Sequence, residues 1–151
     1  MLDCNKAEGR IYIGHQHECL RMFCSSKDLK CATTDDTSTA DIDAVFFRDH
    51  IVGVGEVKTR NISLNQLKRF GSYMVSDYKL DKIGTISNSF KCTGILIVYL
   101  IPDKKVVWWR VSDKCGRILV NAKKITKQLN DNGKIEMQNL ALIPLDEMSV
   151  I

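Results

Sequence analysis

The sequence predicts an α/β domain in which a mixed central sheet is flanked by helices, in the order α-β-β-α-β-β with further elements at the C-terminal end. Three stretches carry that expectation. Residues 13–30 place Cys19, Leu20, Phe23, Cys24 and Leu29 close to a 3.6-residue repeat, so a helix opens the fold. Residues 41–58 are two short apolar runs joined by Arg48-Asp49-His50, a polar break of hairpin length. Residues 94–101 form an unbroken run of mostly branched apolar side chains, which suits a strand covered on both faces.

The remaining elements follow in order. Residues 32–40 are rich in Thr, Asp and Ser without a period and read as a loop. Ser63 is placed to N-cap a second helix that ends near Lys79, with Leu64, Leu67, Met74 and Tyr78 on one side and Gln66, Arg69, Phe70 and Tyr73 on another. Residues 102–105 make a turn into a strand over residues 106–111, where Trp108 and Trp109 point to opposite faces. Residues 115–120 suggest another short strand, residues 122–130 a basic amphipathic helix, Asn132-Gly133 a turn, and residues 135–145 an extended segment ending around Pro144.

At 151 residues the chain is one domain, long enough to bury a core and too short for two. The 22 Lys and Arg against 18 Asp and Glu leave a net charge of +4, which permits a polyanionic partner without demanding one. No run has secretory or membrane-spanning character, so a soluble cytoplasmic protein is expected. Without an export signal, Cys4, Cys19, Cys24, Cys31, Cys92 and Cys115 read as core residues or free thiols. The alternative, a zinc or iron-sulfur site built from Cys19, Cys24 and Cys31 with His15 or His17, has spacings that fit no closed ligand set.

Chemistry concentrates on the hairpin. Glu56 and Lys58 share one side of its second strand, while Ile51, Gly53, Gly55 and Val57 share the other. Asp41 and Asp43 share one side of the approach to the first strand, and closing the hairpin brings Asp43 beside Glu56. Charged groups on apolar strands are costly unless paired, and two converging carboxylates repel until a hard cation such as Mg2+ takes up their charge. Lys58 then faces a bound anion.

Taken together, these residues resemble the PD-(D/E)XK nucleases, the restriction-endonuclease-like superfamily that includes archaeal Holliday junction resolvases, restriction enzymes and RecB-type nuclease domains. The resemblance spans residues 13–111. Asp43 matches the family's first-strand acid and Glu56-Val57-Lys58 its second-strand triplet. Glu18 is the candidate for its first-helix glutamate and Gln66 for the polar residue of its next helix. The proline that often precedes the first Asp is absent, with Ala40 and Ile42 in that neighbourhood.

The resemblance implies a Mg2+-dependent DNA endonuclease, with Mn2+ as a substitute ion. Asp43, Glu56, the Val57 carbonyl and Glu18 would be its ligands, and Lys58 would orient water or stabilise charge at the phosphate. Asp41 is an alternative to Asp43. Arg60, Lys68, Arg69, Lys79, Lys123, Lys124 and Lys127 are candidate contacts to the DNA backbone. Cutting two strands calls for two sites, hence a homodimer. The activity is structure-selective on junctions or branches, with a sequence-specific restriction or homing enzyme as one alternative and a non-catalytic nucleic-acid-binding module on the same fold as another.

Overall fold

The computed structural model describes residues 7–34, 41–131 and 133–151. Cys4, most of the loop expected at residues 32–40, and Asn132 of the expected turn lie outside the described residues. A first helix, α1 (Ala7–Lys27), leads into β1 (Lys30–Thr33), β2 (Ala44–Phe47) and β3 (Ile51–Arg60). Then come α2 (Leu64–Phe70), β4 (Ser72–Ser76), α3 (Asp77–Phe90), β5 (Thr93–Leu100) and β6 (Lys105–Ser112). The chain closes with β7 (Lys123–Asp131), β8 (Lys134–Pro144) and β9 (Ser149–Val150).

The expected mixed sheet flanked by helices is present. It has six strands in the order β1-β2-β3-β5-β6-β9, with β3 and β5 parallel and every other pair antiparallel. β5 lies at the centre and is buried from Gly94 onward, because both of its faces are covered. Leu96, Val98 and Leu100 pack with Leu80 and Ile83 of α3 on one face. On the other, Ile95, Ile97 and Tyr99 pack with Cys19, Leu20 and Phe23 of α1. The adjacent tryptophans divide as expected, Trp109 joining the α3 side and Trp108 the α1 side. Phe23, Phe46 and Trp109 are almost wholly buried, so truncating any of them to alanine costs about 3–5 kcal/mol.

Two glycines in β3 let the hairpin close against α1. A Cβ on Gly55 would sit 2.9 Å from the Phe46 ring, which lies across this strand and meets Phe23 edge-on at 5.2 Å. The bare side of β3 is therefore the packed one, and the charged side turns toward α3.

Four expectations need correction. The helix predicted from Ser63 to Lys79 is two helices split by a strand: Gly71 takes φ +77° and closes α2, and Tyr73 and Val75 alternate inward against exposed Met74 as β4 pairs with β8. Tyr73 thus stacks on Trp109 at 5.4 Å instead of lining a helix face with Gln66. The stretch expected as a helix over residues 122–130 is instead the strand β7, Lys123–Asp131, although Ala122 and Ile125 have helical spacing, because β7 pairs with β8 along its whole length in a second sheet, β4-β8-β7. Residues 30–33, assigned to the end of the first helix and the start of a loop, are β1, since α1 stops at Asp28 with φ +53°. Residues 115–120 contribute an isolated bridge, Ser112 to Ile118, in place of a strand.

Candidate active site

The hairpin register places the site. Asp43 N–H donates to the Gly55 carbonyl at 2.9 Å, one step before the Ala44–Gly55 pair, so Asp43 stands against Glu56 and Val57. Its carboxylate accepts a hydrogen bond from Val57 N–H at 2.7 Å, which fixes the side chain across the strand pair. Glu56 is 2% exposed. Its Oε1 lies 2.7 Å from Lys58 Nζ and 3.2 Å from Lys79 Nζ, the latter delivered by the first turn of α3. Two ammonium groups therefore offset a carboxylate that burial alone would make prohibitively costly.

Asp43 is less well compensated. Burial, then the neighbouring Glu56 charge, pushes its carboxyl from 3.8 up to about 6, against the opposing pull of the Val57 amide and Lys58. α1 adds Tyr12, whose hydroxyl is raised by burial first and then by the charges of Asp43 and Glu56. The sequence reading missed Tyr12 because it started the helix at residue 13. The signal was available, since Tyr12 lies seven and eight residues before Cys19 and Leu20 and so extends their buried stripe by two turns. The sequence marks Lys79 only as a DNA contact, because helical spacing from Ser63 runs up to it without showing that α3 starts anew at Asp77.

The other expected residues separate clearly. Asp41 is half-exposed and paired with Lys82 at 3.4 Å, which leaves Asp43 as the hairpin acid of the cluster. Glu18 is not brought to it: it grips Arg21 on the exposed side of α1, with Nη2–Oε1 at 2.7 Å and Nε–Oε2 at 2.9 Å, and Arg21 holds its carboxyl below the usual range. Gln66 is occupied at the start of α2, where its Oε1 accepts from Ser63 N–H at 2.8 Å while Ser63 Oγ accepts from Gln66 N–H at 3.1 Å. This reciprocal capping box turns Gln66 back onto its own helix.

Of the expected backbone contacts, Arg60 continues the Glu56–Lys58 face of β3 and lies 5.7 Å from the centre of the Tyr73 ring. Lys68 and Arg69 are exposed in the last turn of α2. Lys123, Lys124 and Lys127 are exposed on β7, not on a helix, and Lys124 pairs with Asp77 at the start of α3.

Among the described residues no three His, Cys, Asp or Glu side chains converge as metal ligands. Cys19 and Cys24 are buried thiols pushed up to about 12 by desolvation, and the described cysteines are free. The donors at Asp43 and Glu56 are hard oxygens. One or two carboxylates, with the rest supplied by water and substrate phosphate, is the usual set for Mg2+, so the residues present fit that ion.

No family model matches this sequence, and no curated protein matches it. The structure is similar to that of Hjc, a Holliday junction resolvase from the archaeal hyperthermophile Archaeoglobus fulgidus. The two are 17% identical, with 61% of this chain and 73% of that one covered and a TM-score of 0.45. No helix among the described residues is long and apolar enough to cross a membrane.

Proposed function

We propose that this chain is a Mg2+-dependent DNA endonuclease of the PD-(D/E)XK type. The observation that carries the reading is the convergence, on one side of the β2–β3 pair, of Asp43 and Glu56 with the ammonium of Lys58. Asp43, Glu56 and the Val57 carbonyl would hold the ion, with Mn2+ as a substitute. Bound there, it supplies Lewis-acid polarisation of the phosphodiester and a more acidic water.

The rest is the work of the chain's own groups. Lys58 and Lys79 balance Glu56 before substrate arrives and then present two fixed positive charges to the phosphate, where negative charge builds as water attacks in line and the bond to the leaving sugar oxygen breaks. Arg60 extends that positive line along the strand. Cutting both strands of a duplex or a junction needs a second copy of the site, which a homodimer provides.

A non-catalytic nucleic-acid-binding module is the second reading, favoured by the placement of Glu18 and Gln66 away from the cluster. Purified protein incubated with linear duplex, four-way junction, flap and single-stranded DNA, in Mg2+ and in Mn2+, separates the two. Cleavage that EDTA and Glu56→Gln both abolish is the expected result. Tight DNA binding without cutting of any substrate would establish the module instead.

A further inference from the structure

Beyond Arg60 the charged face of β3 opens into a second feature that the reaction does not use. A cavity of about 490 Å³, inside the range of roughly 300–1,000 Å³ usual for small-ligand sites, is lined by Arg60, Leu67, Phe70, Tyr73, Met74 and Lys127 among others. Its walls are apolar, yet Phe70 is 66% and Met74 41% exposed, an arrangement that leaves two large side chains uncovered at its mouth. Arg60 and Lys127 bring positive charge to its lining. The Tyr73 side chain is buried, with the Arg60 guanidinium beside it. Arg60 links the cavity to the catalytic cluster, being two residues beyond Lys58 on the same face of β3 and lying against the Tyr73 ring.

A mostly apolar cavity that Arg60 and Lys127 also line, next to the proposed phosphate site through Arg60, matches one chemistry. We propose that this cavity takes an unstacked nucleobase from a single-stranded stretch of the substrate, with Phe70 and Met74 against its faces and Arg60 and Lys127 on the flanking phosphates. The inference rests on the nucleic-acid reading of the preceding subsection and deepens it. A second copy of the chain is the less suitable occupant, because Arg60, Lys68, Arg69 and Lys127 would approach their own like charges in a symmetric contact. A base and its phosphates use both the apolar and the positive groups.

The test separates base from backbone. Wild-type protein in EDTA is titrated with a fluorescein-labelled strand of about twelve thymidines, and with an abasic strand of equal length that keeps the phosphates and lacks the bases. Stacking of a base on such side chains predicts roughly 5- to 150-fold tighter binding of the thymidine strand. Phe70→Ala, and independently Met74→Ala, should shrink that ratio while leaving the affinity for the abasic strand unchanged. Both side chains are exposed, and circular dichroism checks that the variants are folded. Equal affinity of wild-type protein for the two strands overturns the pocket, as does a ratio that both variants retain. Conversion of a dimer to a monomer by Phe70→Ala with the ratio unchanged would make this face an interface between copies and also overturns it. Cleavage with Mg2+ is scored separately: cutting without a base preference sinks the pocket alone, and a base preference without cutting sinks the nuclease reading alone.

Discussion

Replacing Asp43 with asparagine should stabilise the metal-free protein while destroying its proposed chemistry. Asparagine keeps the shape and can still accept the Val57 N–H, which Asp43 accepts at 2.7 Å, but it removes the charge that faces Glu56. The Asp43 carboxyl is raised from 3.8 to about 6, so an unfolded chain releases this proton at lower pH than the folded one. Folding therefore takes up a proton between those values, and stability falls as pH rises through that window and stays low above it. The rise corresponds to about 3 kcal/mol. For a chain of this size that is a gain in Tm of about 6–12 °C for Asp43→Asn near pH 8. Near pH 4, where the wild-type side chain is itself neutral in the folded state, the gain should fall close to zero. Thermal melts followed by circular dichroism across that range, without divalent ions, measure it. Adding Mg2+ should then raise the Tm of wild-type protein and leave the variant unchanged, because an ion that binds the folded state stabilises it by mass action. A variant that is no more stable than wild type near pH 8, or whose advantage is the same at both ends of the range, would refute the account of a repelled carboxyl pair.

Four further outcomes are expected. Lys58→Ala should slow cleavage by at least about 100-fold, and Lys58→Arg should not restore it, since a planar guanidinium places its charge differently from a compact ammonium held 2.7 Å from Glu56; single-turnover rates on a cleaved substrate decide this. Glu18→Gln should leave the cleavage rate unchanged, because Glu18 is bound to Arg21, and a large loss would mean that the helix swings to the site. Gln66→Ala should lower stability by about 1 kcal/mol through loss of half a capping box, with the cleavage rate intact, as urea denaturation and the same cleavage assay would report. Gly94→Ala should destabilise by about 1–3 kcal/mol, because a Cβ there would overlap Ser112 Oγ and lie 2.5 Å from an Ile83 methyl group, both buried; a variant with unchanged Tm would show that α3 yields more easily than the packing implies.

What the sequence by itself determined was whatever depends on neighbours along the chain. Strand periodicity put Glu56 and Lys58 on one side and Val57 on the other, and the length of the Arg48-Asp49-His50 break set the pairing that carries Asp43 to Glu56. Continuous apolar character identified the central strand, and alternation separated Trp108 from Trp109. Pairing between distant segments had to be decided by the tertiary structure. The sequence 122–130 has helical spacing, and only the presence of β8 beside it satisfies its backbone as a strand. Ser72–Ser76 likewise becomes β4 by joining β8, which breaks one expected helix in two and lets α3 start where Lys79 can reach Glu56. Glu18 and Gln66 show the converse: each lies within one turn of a suitable local partner, Arg21 or Ser63. A bond to a near neighbour orders less of the chain than a reach across the fold, so the local partner wins.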